Sequence, residues 1–258
     1  MQKALTNVHS ETKDHLKIFD AIMATLFLLA ICWAVFVMDE YMGYDIKPYG
    51  MFPRRLEGLR GIFTMHFIHG DIKHIWHNTL GLLVMNTFLF YFYRKIALRT
   101  FLWMFFASSV LLWIIGRPVN HIGASMLIYA EFAFLFISGL IRKDPLMLRV
   151  ALLVCLYYGS LVWYIFPIDE TISWEGHLSG ALVGAALAFA YRKLGPQRKV
   201  YKFEQEPELP EDANSYWLTP EQRAKHTPVE HQESSSHFSH HGPTTVSIKY
   251  HYKENDKD

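Results

Sequence analysis

Cysteine is almost missing from this chain of 258 residues: the two present, Cys32 and Cys155, both fall inside apolar segments. A disulfide framework is therefore not expected, and the redox compartment is left unread. Charge surplus is missing too. Twenty-five basic residues stand against 24 acidic ones, a formal net charge of +1, which makes no case for a nucleic-acid partner. The zinc-site patterns are absent: His69, His74 and His77 have inviting spacings, but no cysteine or carboxylate set completes a ligand shell. Neither a metal nor a cofactor is expected. No internal repeat is visible. Lys3, Lys13 and Lys17 precede the first apolar run without a cleavage site after it, so a removable signal peptide is not expected.

What is present is apolar surface in long blocks. Hydrophobic residues make up 51% of the chain and aromatic ones 16%, concentrated before about Tyr191. Windows of about 18 residues with few charges mark six candidate spans, near 21–38, 75–93, 100–116, 125–141, 146–166 and 177–191. The expected fold is an all-α polytopic membrane protein with six transmembrane helices. Its parts are a cytoplasmic segment 1–20, a membrane domain 21–193 and a polar tail 194–258. Beyond Gly195 the chain is rich in Glu, Gln, Ser, Pro and His, which predicts a disordered cytoplasmic tail. Within it Val246–Tyr252 alternates like a strand, and histidines such as His226, His240 and His241 read as solvated side chains.

Orientation follows from the basic residues. Arg94, Lys95 and Arg99, then Arg142, Lys143 and Arg149, then Arg192, Lys193, Arg198 and Lys199 all fall on one side, which the positive-inside rule makes cytoplasmic, with both termini. The other side carries Arg117 and the acidic Asp169, Glu170 and Glu175. The first loop, 39–74, is the exception, with Lys47, Arg54, Arg55, Arg60 and Lys73 nearly balanced by acids. Its aromatic and aliphatic residues among prolines and glycines predict a segment lying in the interface, its backbone packed against protein.

This topology starts the second, fourth and sixth spans on one face. Their opening residues are His74 and Asn78, Ser125, and His177. At about 1.5 Å per residue, Ser125 to Ile141 is roughly 25 Å, shorter than a hydrocarbon core of roughly 30 Å. Ser125 should then lie below the surface, under a water-filled hollow. A serine hydroxyl becomes a nucleophile when a base accepts its proton, and histidine is the side chain tuned for that near neutral pH. Helix-start N–H groups, the Asn78 amide and His74 would supply donors for an oxyanion. Gly176, Gly180 and Gly184 recur every four residues and would let the sixth span approach a neighbour closely. Each residue also has a plainer reading: Ser125 as a helix N-cap, His177 as an interfacial histidine, Asn78 as an interhelical glue residue, and His121 as a structural loop residue.

The run His69-Gly70-Asp71-Ile72-Lys73-His74-Ile75-Trp76-His77-Asn78, then Gly123-Ala124-Ser125 with Tyr129, then His177 with Gly180 and Gly184, resembles the rhomboid intramembrane serine proteases. The likeness covers about Leu59 to Tyr191. It implies a Ser125–His177 dyad without a catalytic acid and an oxyanion hole from the Ser125 N–H, Asn78 and His74. It also implies that Tyr129 packs against the His177 ring and that Gly180 permits the contact between the fourth and sixth spans. Substrates would be transmembrane segments of membrane-anchored proteins, entering sideways between lipid and protein, with the fifth span and the acidic loop before His177 as gate and cap. Two residues depart from the expected pattern. Met126 stands where the family has glycine and is expected to crowd the helix start or substrate path; Glu131 is an ionisable group within a span, expected to be protonated or paired with a base. The location expected is a bacterial plasma membrane. The rival readings are a pseudoprotease that binds transmembrane segments without cutting them, and a small transporter, which predicts half-helix repeats that the sequence lacks.

Overall fold

The structure, a computed structural model, describes residues 2–167 and 172–197. Residues 198–258 of the predicted tail, with its strand-like stretch and its histidines, lie outside the described residues, as do Asp169 and Glu170. Seven α-helices and short 3-10 turns make up the described part: α1 (Gln2–Glu40), α2 (Gly61–Thr64), α3 (Ile72–Phe92), α4 (Ala97–Ile115), α5 (Ser125–Arg142), α6 (Pro145–Tyr158) and α7 (Trp174–Ala190). Among the described residues there is no strand, only one antiparallel bridge between Met51 and His121.

Among the described residues three stretches are long and apolar enough to cross a membrane: Lys17–Glu40, Ala97–Ile115 and Ser125–Arg142. Within the best window of α5 67% of residues are buried, against 33% in each of the other two, so α5 is the central rod and the others face outward. It packs on α7, α6, α3 and α4. Two boundaries differ from the expectation. The first 20 residues contain neither glycine nor proline, and α1 runs through them from Gln2 instead of starting at 21. The predicted span 146–166 is α-helical only as far as Tyr158; at Gly159, a poor helix former, the chain tightens into a 3-10 segment, Gly159–Ile165. Two helix starts are capped by aspartates. Asp71 accepts from the N–H groups of Lys73 and His74, and Asp144 from those of Leu146 and Met147.

One end of the bundle gathers the basic residues. Arg94 pairs with Asp20 at 2.6 Å, and the Arg142 guanidinium donates to the carbonyls of Tyr191, Arg192 and Pro196. Arg142 thereby closes the end of α7 onto the end of α5, where the last carbonyls lack helical partners. Between α1 and α3, Asn86 donates to the Thr25 hydroxyl and the Trp33 indole to the Thr79 hydroxyl, polar ties suited to an apolar surround.

The first loop folds over the opposite end as a run of tight turns. Met51 and Met65 are buried, and the Gly123 N–H donates to the Met65 carbonyl at 2.8 Å, stitching this loop to the approach of α5. Three histidines are buried with it. The Ser109 hydroxyl donates to Phe105, so it accepts from His66 Nε2 at 2.9 Å; His69 Nδ1 donates to the Phe67 carbonyl. Burial lowers His66 from 6.5 to about 3. Burial first, then the nearby His74, lowers His69 to about 4, and burial also lowers His121. All three are neutral in the fold. Since their folded values lie below the ordinary one, stability is complete above pH 6.5 and is lost as pH falls toward about 4, where the unfolded chain takes up protons that the fold refuses. Thermal unfolding in detergent should show a midpoint flat from pH 8 to 7 and falling by several degrees by pH 5. A midpoint unchanged at pH 5 would contradict this.

Candidate active site

The site forms where α3, α5 and α7 begin. The chain reaches α5 through Gly123, whose φ of +110° favours glycine. A side chain there would also run into the His74 imidazole and press on the Asn78 amide. Ala124 occupies the cap position and offers no side-chain bond, so Ser125 is the first residue of α5. Its hydroxyl meets His177 Nε2 at 3.0 Å. The N-cap reading of Ser125 is thus not what the fold uses.

The protonation of His177 follows from its other nitrogen. The Tyr164 carbonyl lies 3.0 Å from Nδ1 and can only accept, so Nδ1 carries the proton and Nε2 presents a lone pair to the serine. Tyr164 sits on the 3-10 segment, and the sequence reading missed it because a backbone acceptor leaves no mark in residue type. Tyr129 stacks on the His177 ring at 4.0 Å between centroids and 7° between planes, holding the imidazole against rotation. Gly180 and Gly184 lie so close to α5 that a Cβ on either would overlap the carbonyl of Met126 or Ala130. Gly176 does not share this role: a Cβ there would meet the Ser173 side chain, with nothing of α5 among its nearest atoms.

Donors surround the same point. Gly70 N–H approaches His74 Nδ1 at 3.4 Å, which leaves the proton on Nε2, beside Gly123. The Asn78 Nδ2 is buried without a hydrogen-bond partner among the described residues, also beside Gly123. An unspent amide donor next to the serine peptide is the arrangement that stabilises a developing oxyanion. His69 stands edge-on to His74 at 5.1 Å, and His77 is exposed. Among the described residues no group of three His, Cys, Asp or Glu is arranged to hold a metal.

Of the two departures, Met126 differs from expectation and Glu131 keeps one of its two expected readings. Met126 does not crowd the serine: its side chain is buried in a cluster with Met51, Met65 and Leu112, on the side facing α4 and the first loop. Glu131 is fully buried, and neither carboxylate oxygen has a hydrogen-bond partner among the described residues, which is against the pairing with a base and leaves the protonated alternative.

A clasp that the sequence did not reveal ties the serine loop to the histidine helix. The Arg117 guanidinium and backbone N–H donate to Glu175, with Nε at 2.5 Å, and Nη2 donates to the Ile172 carbonyl. Beside it the Ser173 hydroxyl donates to His121 Nδ1 at 2.6 Å, while His121 Nε2 donates to the Arg117 carbonyl. Glu175 is 1% exposed and Arg117 33%, so truncating one partner strands a charge in the other. Arg117→Ala or Glu175→Ala should each cost about 2 kcal/mol, below the figure for a fully buried pair because Arg117 is partly solvated. The pair Arg117→Met with Glu175→Leu should recover more than half of it. Thermal unfolding of the three variants checks this; a double variant as unstable as the sum of the singles would contradict it.

Comparison with known proteins bears on this geometry. A family model described as Rhomboid domain matches residues 57–194. The chain is 29% identical over 191 residues to Uncharacterized protein Rv1337 of Mycobacterium tuberculosis and to Uncharacterized protein Mb1372 of Mycobacterium bovis, covering 67% of this chain and 75% of each relative. It is 27% identical over 201 residues to Uncharacterized protein ML1171 of Mycobacterium leprae, covering 74% of this chain and 78% of the relative.

Proposed function

The chain belongs to the rhomboid family, and from that premise we propose that it is an intramembrane serine endopeptidase that cuts transmembrane segments of membrane-anchored proteins. The observation that carries this reading is the 3.0 Å contact between Ser125 Oγ and His177 Nε2, with Nδ1 committed to the Tyr164 carbonyl. In acylation Ser125 Oγ attacks the scissile carbonyl carbon while Nε2 takes its proton. The tetrahedral oxyanion accepts hydrogen bonds from the Ser125 N–H, the Asn78 amide and His74 Nε2–H. Collapse expels the amine, which leaves with the proton from Nε2. Water then attacks the acyl-serine, giving its proton to Nε2, and the serine leaves with that proton. Tyr164 acts through its carbonyl, fixing the tautomer, and Tyr129 by holding the ring.

In this reading the membrane domain spans residues 21–193 and the basic end of the bundle faces the cytoplasm of a bacterial inner membrane, with the dyad toward the outer face. Bacterial relatives support a bacterial setting. The test is cleavage of a single-span substrate co-reconstituted in liposomes, with the product's new N-terminus sequenced. The expected result is one cut within or at the edge of the span, absent in Ser125→Ala. Binding of the span without any cut by the wild type would overturn the enzyme reading in favour of a pseudoprotease.

A further inference from the structure

We propose that the first loop carries a binding pocket for the phosphodiester headgroup of an anionic phospholipid, built around Arg55 and Arg60 and independent of the protease reading. The loop's basic residues were the exception to the charge asymmetry of the chain, and two of the five, Lys47 and Arg54, are held by internal partners. Lys47 pairs with Asp39 at 3.5 Å and Glu40 at 3.7 Å. Arg54 donates to the carbonyls of Ile114 and Gly116, closing the end of α4. Lys73 lies in the first turn of α3.

Arg55 and Arg60 share one cavity, which Lys73 does not line. Both are exposed, and neither makes an ion pair among the described residues, although Glu57 stands on the same rim. Each is instead laid over an aromatic ring, Arg55 on Phe52 at 4.2 Å and Arg60 on Tyr49 at 4.4 Å, and Arg60 also donates to the Pro48 carbonyl. Stacking covers the face of a guanidinium and leaves edge donors for an anion, at little further cost in side-chain order. The two arginines line one cavity of 220 Å³ with Phe52, Glu57 and Asn120.

The surroundings identify the ligand class. Leu56 is 82% exposed and Phe63 58%, apolar side chains that suit acyl chains next to the headgroup layer. A phosphodiester oxygen pair matches the guanidinium fork. Glu57 disfavours a multiply charged free anion and offers an acceptor to a headgroup hydroxyl, and the two guanidiniums outweigh its single charge, so a net anionic glycerol headgroup fits better than a zwitterionic choline one.

Native mass spectrometry of the full-length protein in micelles tests the assignment, with dioleoyl phosphatidylglycerol, dioleoyl phosphatidylcholine and inorganic phosphate as probes. The wild type should retain phosphatidylglycerol at least about tenfold better than phosphatidylcholine, and Arg55→Gln with Arg60→Gln should lose about tenfold in retention. Arg94→Gln, at the other end of the bundle, should change nothing. Unfolding midpoints matching the wild type show that the variants are folded, and Arg55→Lys with Arg60→Lys, which keeps the charge, should retain part of the binding. Equal retention by wild type and the Gln pair, equal retention of the two lipids, or an equal loss in Arg94→Gln would overturn the proposal. Displacement of the lipid by millimolar inorganic phosphate would overturn the lipid assignment in favour of a free-anion site.

Discussion

Ser125→Ala and His177→Ala should each lower kcat/KM for a transmembrane substrate by about 10⁴-fold or more, and the double variant should be no worse than the singles. Non-additivity is the informative part. If the 3.0 Å contact is the working one, a serine without its base and a base without its serine are equally idle. The donors around the oxyanion behave differently, because three of them share the charge. Asn78→Ala should cost about 10² to 10³-fold, mainly in kcat, since its amide is spent only when the oxyanion forms. A rate assay on co-reconstituted substrate reads all four variants. Independent, multiplying losses for Ser125 and His177 would mean that the two side chains do not act as one unit.

Gly180→Val and Gly184→Val should be the most damaging changes outside the dyad. A Cβ at either position overlaps a backbone carbonyl of α5, which cannot swing aside as a side chain would, so α7 must move bodily away. The expected loss is about 3 kcal/mol or more, about 10 °C in unfolding midpoint for a bundle of this size. Activity should go with it, because the displacement separates Ser125 from His177. Gly180→Ala and Gly184→Ala should already be harmful, and Gly176→Ala is their matched control. Its Cβ would meet the Ser173 side chain and not backbone, so at most the Ser173–His121 hydrogen bond is lost, and its midpoint should fall by far less. Circular dichroism melts in detergent and the cleavage assay together check this series; tolerance of valine at Gly184 would contradict the packing argument.

The contrast among these three glycines marks what a sequence can carry. A repeat every four residues says that one face of a helix is small, and α7 does use that face, but it cannot say which turn of the face touches which neighbour. Ser125, His177, His74 and Asn78 were legible because polar residues at the starts of apolar segments are costly and stand out. The structure brings all four to one place. Tyr164 was illegible, since its contribution is a carbonyl in a stretch that reads as continuous helix until Gly159 tightens it. Arg117 and Glu175 were visible only as loop charges marking one side of a membrane, and their pairing depends on how two separate loops meet. Met126 shows the opposite limit: it stood out as a bulky residue after the serine, yet the direction in which α5 projects it, toward Met51, Met65 and Leu112, is a matter of packing. The basic first loop was legible as an anomaly, and its resolution into two internally satisfied cations, two stacked arginines and Lys73 in the first turn of α3 needed coordinates.

Reaction with a fluorophosphonate, which a nucleophilic serine attacks at phosphorus with loss of fluoride, tests the Ser125–His177 pairing without any knowledge of the substrate. Intact-mass and peptide-mapping analysis of the full-length protein in micelles should find one adduct, on Ser125, that is lost in His177→Ala while His121→Ala, if folded, keeps it. An adduct forming at the wild-type rate in His177→Ala, or no adduct on folded wild-type protein, would contradict the pairing on which the proposed function rests.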